Sequence, residues 1–163
     1  MQTENIHIIE ASSEEDYTLG RLLFMQYAEG IGIPLSFQKF EDELAHLQSM
    51  YARPKGVLLL AKQDDGQTLG CVAVRPLEPN VAELKRMYVT EQARGSGTGR
   101  KLLQRALDLS KELGYDFIRL DTLSNMLPAI HLYREAGFYE IPAYYYNPFD
   151  NAMFFEKKIN ELI

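Results

Sequence analysis

The 163-residue chain carries a single cysteine, Cys71. That excludes a disulfide within the chain and any cysteine metal cluster. Histidine is almost as scarce. His7, His46 and His131 stand far apart with no ligand spacing among them, so no metal site is expected. No apolar run approaches the length of a membrane span, and no basic segment followed by an apolar stretch opens the chain. Cytoplasmic residence without a membrane partner is the expectation. Positive charge is also short: 17 Lys and Arg against 23 Asp and Glu leave a net charge of −6. Broad nucleic-acid binding depends on basic surface and is disfavoured. Cationic substrates such as amines are compatible with this balance. Repeats, low-complexity tracts and linkers are lacking, so residues 1–163 read as one domain, long enough to bury a core.

What is present is an alternation of apolar runs and turns. Residues 6–10 read as a strand. Ser12 or Ser13 followed by Glu14, Glu15 and Asp16 is a helix start with acids in its first turn. Leu19, Leu22, Leu23, Gln26 and Tyr27 then predict its apolar stripe, ending near Ala28. A second helix is expected from about Ser36, carrying Phe37, Phe40, Leu44 and Leu47. Residues 57–62 read as a buried strand, Asp64-Asp65-Gly66-Gln67 as a hairpin turn, and residues 69–75 as the returning strand. Residues 81–89 form the next strand. Leu102, Leu103, Ala106, Leu107, Leu109 and Leu113 give a helix capped by Gly114, and residues 117–121 a strand parallel to 81–89 through a right-handed crossover. Pro128 fits the first turn of a helix that Gly137 closes, and residues 138–141 and 153–157 are two further strands.

The most informative stretch is Arg94-Gly95-Ser96-Gly97-Thr98-Gly99-Arg100-Lys101, between the 81–89 strand and its helix. Glycine at every second position suits a loop whose backbone closely approaches a ligand. The helix start offers unpaired N–H groups and partial positive charge. Cations there are unfavourable by about 0.3–1 kcal/mol each unless a polyanion docks among them. Three phosphate loops compete. The Walker pattern fails, because, counted from Gly95, Arg100 stands at the second glycine and Leu102 at the hydroxyl position. The dinucleotide pattern fails at its third glycine, where Arg100 stands. The pattern Arg/Gln-x-x-Gly-x-Gly/Ala is met by Arg94, Gly97 and Gly99.

On those residues the stretch from Glu83 to Phe138 resembles the GCN5-related N-acetyltransferase (GNAT) superfamily, which holds the pyrophosphate of coenzyme A on this loop. A second motif supports the resemblance: Ser124-Asn125, then Ala129-Ile130-His131-Leu132-Tyr133, then Gly137-Phe138. Gln38 with Glu43-Leu44, the 70–75 strand, Leu120-Asp121-Thr122 and Tyr145-Tyr146-Asn147-Pro148 are similar to a bacterial branch of that superfamily. The resemblance implies an α/β fold. A mixed central sheet of about six to seven strands is flanked by about four helices, and parallel strands 4 and 5 splay apart. It implies transfer of acetyl from acetyl-CoA to a primary amine, small-molecule or peptide, by direct attack in a ternary complex. It requires no metal. The alternative is a non-catalytic CoA-binding module of the same fold, as a sensor or partner subunit. Homodimers are frequent in the superfamily.

The same resemblance distributes roles. Arg94, Gly95, Ser96, Gly97, Thr98, Gly99 and Arg100 would hold the pyrophosphate. The backbone of Met87, Tyr88 and Val89 would pair with the pantetheine arm, and Asn125 would contact it unless it caps the following helix. Tyr133 would be the general acid for the departing thiolate; otherwise it packs its ring. Glu83, on an apolar strand, would be the general base, or else it pairs with Lys85, Arg86 or Arg75. Tyr144, Tyr145, Tyr146 and Asn147, with Gln38, Arg75 and Glu43 opposite, would wall the acceptor site. Asp121 ends a parallel strand, where ligands tend to lie. Cys71 lies mid-strand without a histidine partner, so no acyl-enzyme is expected.

Overall fold

The structure is a computed structural model that describes residues 5–32 and 39–159. Seven strands form one sheet in the order β1-β2-β3-β4-β5-β7-β6. They are β1 (Ile6–Glu10), β2 (Val57–Gln63), β3 (Thr68–Glu78), β4 (Val81–Val89), β5 (Phe117–Leu123), β6 (Tyr139–Ile141) and β7 (Ala152–Lys158). Among these, β4 and β5 pair in parallel and the other neighbours are antiparallel. The helices are α1 (Glu14–Ile31), the short α2 (Phe40–Ala45) and α3 (Leu47–Met50), then α4 (Thr98–Glu112) and α5 (Leu127–Glu135). The expected start of a helix at Ser36, with Phe37, lies outside the described residues, as does Gln38.

Helices on both faces explain why β2 is apolar without alternation. Val57, Leu59 and Ala61 join the core under α4 and α5, while Leu58 and Leu60 join the core under α1, α2 and α3. On α4, Leu102, Leu103, Ala106, Leu107 and Leu109 are buried, as the spacing predicts. Burial of each such leucine stabilises the fold by about 1.5–3 kcal/mol.

Helix α1 departs from expectation in its rotation. Ser13 is the N-cap, closing a capping box with Asp16: the Asp16 N–H donates to Ser13 Oγ at 3.1 Å and the Ser13 N–H to Asp16 Oδ2 at 3.4 Å. The buried face, however, is Tyr17, Gly20, Leu23, Phe24 and Ala28, and Leu22 is left exposed. The cause is Gly20. A Cβ there would lie 2.5 Å from Leu58 Cδ2, so the helix seats its glycine against β2. Apolar counting is blind to a face whose centre has no side chain.

Strand β4 decides the shape of the site. Its pairing with β5 runs from Val81↔Phe117 to Glu83↔Arg119 and stops. Beyond that point β4 follows β3, while β5 follows β7 as far as Leu123↔Ala152. The β3–β4 register shifts between Cys71↔Tyr88 and Ala73↔Lys85, which places a bulge at Arg86, a non-glycine residue at φ 57°. A bulge bends its strand and raises the local twist, and here it accompanies the parting from β5.

Candidate active site

The parted strands leave a cleft lined by Leu84, Lys85 and Arg86 of β4, Asp121, Thr122 and Leu123 of β5, Tyr27 of α1, and Asn147 with Phe149 from the β6–β7 connection. Its walls follow from strand alternation. Leu84, Met87 and Val89 point into the core beneath α4 and α5, whereas Tyr88 packs on the α1 side. Tyr88 and Val89 pair with β3 on one edge, Met87 lies at the register shift, and none of the three pairs with β5 on the other edge, so their backbone is open toward the cleft.

The bulge is fixed from several directions. Arg86 Nε and Nη2 donate to Glu43 Oε2 and Oε1, both at 3.0 Å, and both side chains are largely buried. The guanidinium lies 5.2 Å from the Phe40 ring centroid and 5.9 Å from that of Tyr27, within cation–π range. The Cys71 thiol donates to the Arg86 carbonyl at 3.4 Å. Burial pushes that thiol well above the ordinary cysteine range, so it is a packing group and no nucleophile. Native protein is therefore expected to leave a chromogenic disulfide reagent untouched and to release its one thiol only in denaturant; prompt native reaction would contradict this burial.

At the end of β4, the α4 helix begins at Gly97, an N-cap at φ 88° without any side-chain cap. That conformation suits glycine, and the first-turn N–H groups are left facing outward. Ser96 and Thr98 brace the loop through Oγ···Oγ1 at 2.7 Å, and Ser96 Oγ also donates to the Ala93 carbonyl. Arg94 Nε donates to the Val89 carbonyl at 3.4 Å, Gly95 takes φ 82°, and Gly99 sits against Leu132 and Met87. The Arg100 side chain turns away to Glu135 at 2.8 Å. Asn125 is exposed and accepts from Asn151 at 3.4 Å. The N-cap of α5 is Met126, so Asn125 does not cap that helix.

Tyr133 rises from α5 with its ring edge-on to Phe138 at 5.7 Å and tilted against Phe155 at 6.5 Å. Its hydroxyl makes no hydrogen bond among the described residues. Burial, with the Tyr27 and Asp121 fields added, raises its pKa and keeps it protonated.

Glu83 is 1% exposed and both its oxygens are engaged. Arg75 reaches Oε1 through Nε at 2.9 Å and Nη2 at 2.8 Å, and the Tyr144 hydroxyl donates to Oε2 at 2.7 Å. Of the three adjacent tyrosines, only Tyr146 is exposed. Tyr144 and Tyr145 both pack on Phe154, at 5.2 and 5.4 Å. A turn, unlike a strand, can send neighbouring side chains to one side. Tyr145 donates to Asp121 Oδ2, and Asn147 Nδ2 donates to the same atom at 3.0 Å. The structure thus brings Arg75, Glu83, Tyr144, Tyr145, Asn147 and Asp121 together, with Tyr146 outside. Sequence reading named Glu43 for the acceptor wall but not its pairing with Arg86, which holds the bulge instead, and it missed Lys85 as a cleft residue. Lys85 had entered only as a salt-bridge partner, since a charged residue inside a strand reads as edge or surface.

Among the described residues no helix is long and apolar enough to cross a membrane, and no group of three His, Cys, Asp or Glu could hold a metal ion.

Comparison with known proteins agrees with this geometry. Residues 23–138 match the model of the Acetyltransferase (GNAT) family. An uncharacterised N-acetyltransferase of Schizosaccharomyces pombe is 36% identical over 162 residues, covering 99% of each chain. A protein of Azospirillum brasilense named IAA acetyltransferase is 34% identical over 120 residues, covering 72% of this chain and 77% of its own. A GNAT-family acetyltransferase structure from Staphylococcus aureus superposes with a TM-score of 0.80 at 22% identity, over 96% of this chain and all of that one. With the seven-stranded sheet, the β4–β5 splay and the glycine loop in place, the chain belongs to the GNAT acetyltransferase family.

Proposed function

We propose that this protein transfers the acetyl group of acetyl-CoA to a primary amine by direct attack in a ternary complex. The observation that carries the reading is the end of β4–β5 pairing at Glu83↔Arg119, with β4 running on to Val89 free of β5 and an uncapped helix N-terminus following at Gly97. An open strand edge leads toward a helix start whose first N–H groups have no side-chain cap. The backbone N–H groups of Gly95 to Arg100, with Arg94, Ser96 and Thr98, hold the pyrophosphate. The free edge of Met87, Tyr88 and Val89 takes the pantetheine as an added strand, and a backbone N–H near the bulge polarises the thioester carbonyl. Asn125 borders the arm.

Acetyl-CoA supplies the acyl carbon and the thiol leaving group. As the new C–N bond forms and the C–S bond breaks, Tyr133 gives its proton to the thiolate sulfur. The amine proton passes through the Tyr144 hydroxyl to Glu83, whose carboxylate already accepts from that hydroxyl. Tyr133 is then reset from solvent. Arg75, Tyr145 and Asn147 border the acceptor. The scheme calls on no metal and no nucleic acid, and places the reaction in the cytoplasm, with one domain working alone or as a homodimer.

Thiol release from acetyl-CoA with a panel of primary amines tests this reading, measured across pH for wild type and Glu83→Gln. Release with at least one amine is expected, with the rising alkaline limb flattened or shifted in Glu83→Gln. Tight CoA binding with no release for any amine would favour a binding module instead. An untouched limb would remove Glu83 as the base.

A further inference from the structure

The cleft wall carries a charge arrangement that the transfer step does not use. Parallel register places Val81 opposite Phe117, Ala82 opposite Ile118 and Glu83 opposite Arg119. Continued by two residues, it sets Lys85 opposite Asp121 where the strands have already parted. Both side chains line the same cleft, and no ion pair joins them.

The arginines that β3, β4 and β5 carry on this face all have counter-ions. Arg75 is paired with Glu83, Arg86 with Glu43, and Arg119 with Glu156 and Glu78. Lys85 is 7% exposed, yet its ammonium makes no hydrogen bond or ion pair among the described residues. Asp121 accepts from Tyr145 and Asn147, but both bonds fall on Oδ2, so Oδ1 carries none among the described residues. A buried ammonium without a partner is unfavourable unless something arrives to neutralise it. Two opposite charges held apart across a cleft complement a molecule that carries both.

We infer that the acceptor is a zwitterion of the amino-acid class, its carboxylate received by Lys85 and its ammonium turned toward Asp121. Lys85 and Asp121 are then specificity-determining residues for the acceptor. The inference rests on the N-acetyltransferase reading and narrows its substrate. The acetyl group at the bulge and the ammonium at Asp121 meet at the same level of the splay, so recognition also orients the nitrogen. Burial, and after it the Arg86 charge, pulls the Lys85 ammonium below the ordinary lysine range; a bound carboxylate would restore it. The competing role for such a lysine is that of a neutral base, which would serve any amine alike.

The test uses the full chain with saturating acetyl-CoA and thiol release as readout. Alanine, leucine, phenylalanine and glutamate are each compared with the matching primary amide, which keeps the ammonium and lacks that carboxylate. Wild type and K85M are run in parallel, because their ratio cancels the different basicity of the two amines. Thermal protection by CoA checks that K85M keeps its fold and donor site. For at least one amino acid, K85M should lower kcat/KM by about tenfold to a hundredfold, mostly through KM, with a far smaller fall for its amide. D121N, which keeps a polar group of the same shape, should raise KM for amino acid and amide together. Equal losses for amino acid and amide in K85M would overturn the inference and mark Lys85 as a base. So would a wild-type preference for amides that K85M does not alter. If no amine releases thiol, the transferase reading fails separately. Calorimetric binding of the same amino acids to the CoA complex then decides: binding lost in K85M upholds the zwitterion site, and no binding to wild type sinks it.

Discussion

Tyr133→Phe should lower kcat about a hundredfold and leave CoA affinity and stability nearly unchanged. The size follows from the usual contribution of a positioned general acid. The ring contacts with Phe138 and Phe155 involve only the six carbons that phenylalanine retains. No hydrogen bond among the described residues is lost with the hydroxyl, so the fold has little to forfeit. The pH dependence is equally specific. Burial, aided by the Tyr27 and Asp121 fields, holds the phenol above its ordinary pKa of about 10. A group whose pKa is raised stays protonated as pH climbs through neutrality. The factor between wild type and Tyr133→Phe should therefore be constant from about pH 6 to 9, well below the titration. Single-turnover rates at several pH values check it. An unchanged rate would leave Tyr133 as a packing residue, and a factor that shrinks toward pH 9 would mean the phenol ionises there.

Glu43→Ala should destabilise the protein by about 3–5 kcal/mol, the usual cost of stranding one member of a buried ion pair. Glu43 accepts from both Nε and Nη2 of Arg86, and the two side chains are only 7% and 10% exposed. Arg86 stands at φ 57°, a conformation that non-glycine residues seldom take and that persists only where surroundings enforce it. With Glu43 gone, the guanidinium has lost its counter-ion and is left against the Phe40 and Tyr27 side chains. The bulge should relax, and the KM for acetyl-CoA should rise with it, although Glu43 touches no proposed donor contact. Urea unfolding measures the stability. The double variant Glu43→Ala/Arg86→Met should recover part of the loss, because no charge remains buried alone. A loss below about 1 kcal/mol, as for a surface pair, would show that water reaches this one.

Both effects concern residues whose types were visible in the chain but whose relations were not. Tyr133 was nameable because its motif is local: the helix from Leu127 to Glu135, its proline start and the Gly137 turn all lie within a few residues. The same holds for Gly95, Gly97 and Gly99, and for the seven strands, whose apolar runs and turns carry their own punctuation. Arg86 and Glu43 are 43 positions apart, and the bulge that joins them is a mismatch between two strands, invisible in either alone. The rotation of α1 was missed for a related reason: Gly20 marks the closest approach to β2 by lacking a side chain, while periodicity counts side chains.

By itself, then, the sequence determined the order of elements, the glycine loop at the end of β4 and the family motifs, since each is written in short-range spacing. Tertiary structure alone decided which charges meet. Glu83 has three neighbours of opposite charge within reach by sequence, Arg75, Lys85 and Arg86, and it takes Arg75. The cross-strand register sets Glu83 beside Arg75, while Arg86, turned by the bulge, goes to Glu43. Lys85 is left on the cleft wall opposite Asp121. That remainder depends on pairings between strands and helices, so no stretch of the chain could have announced it.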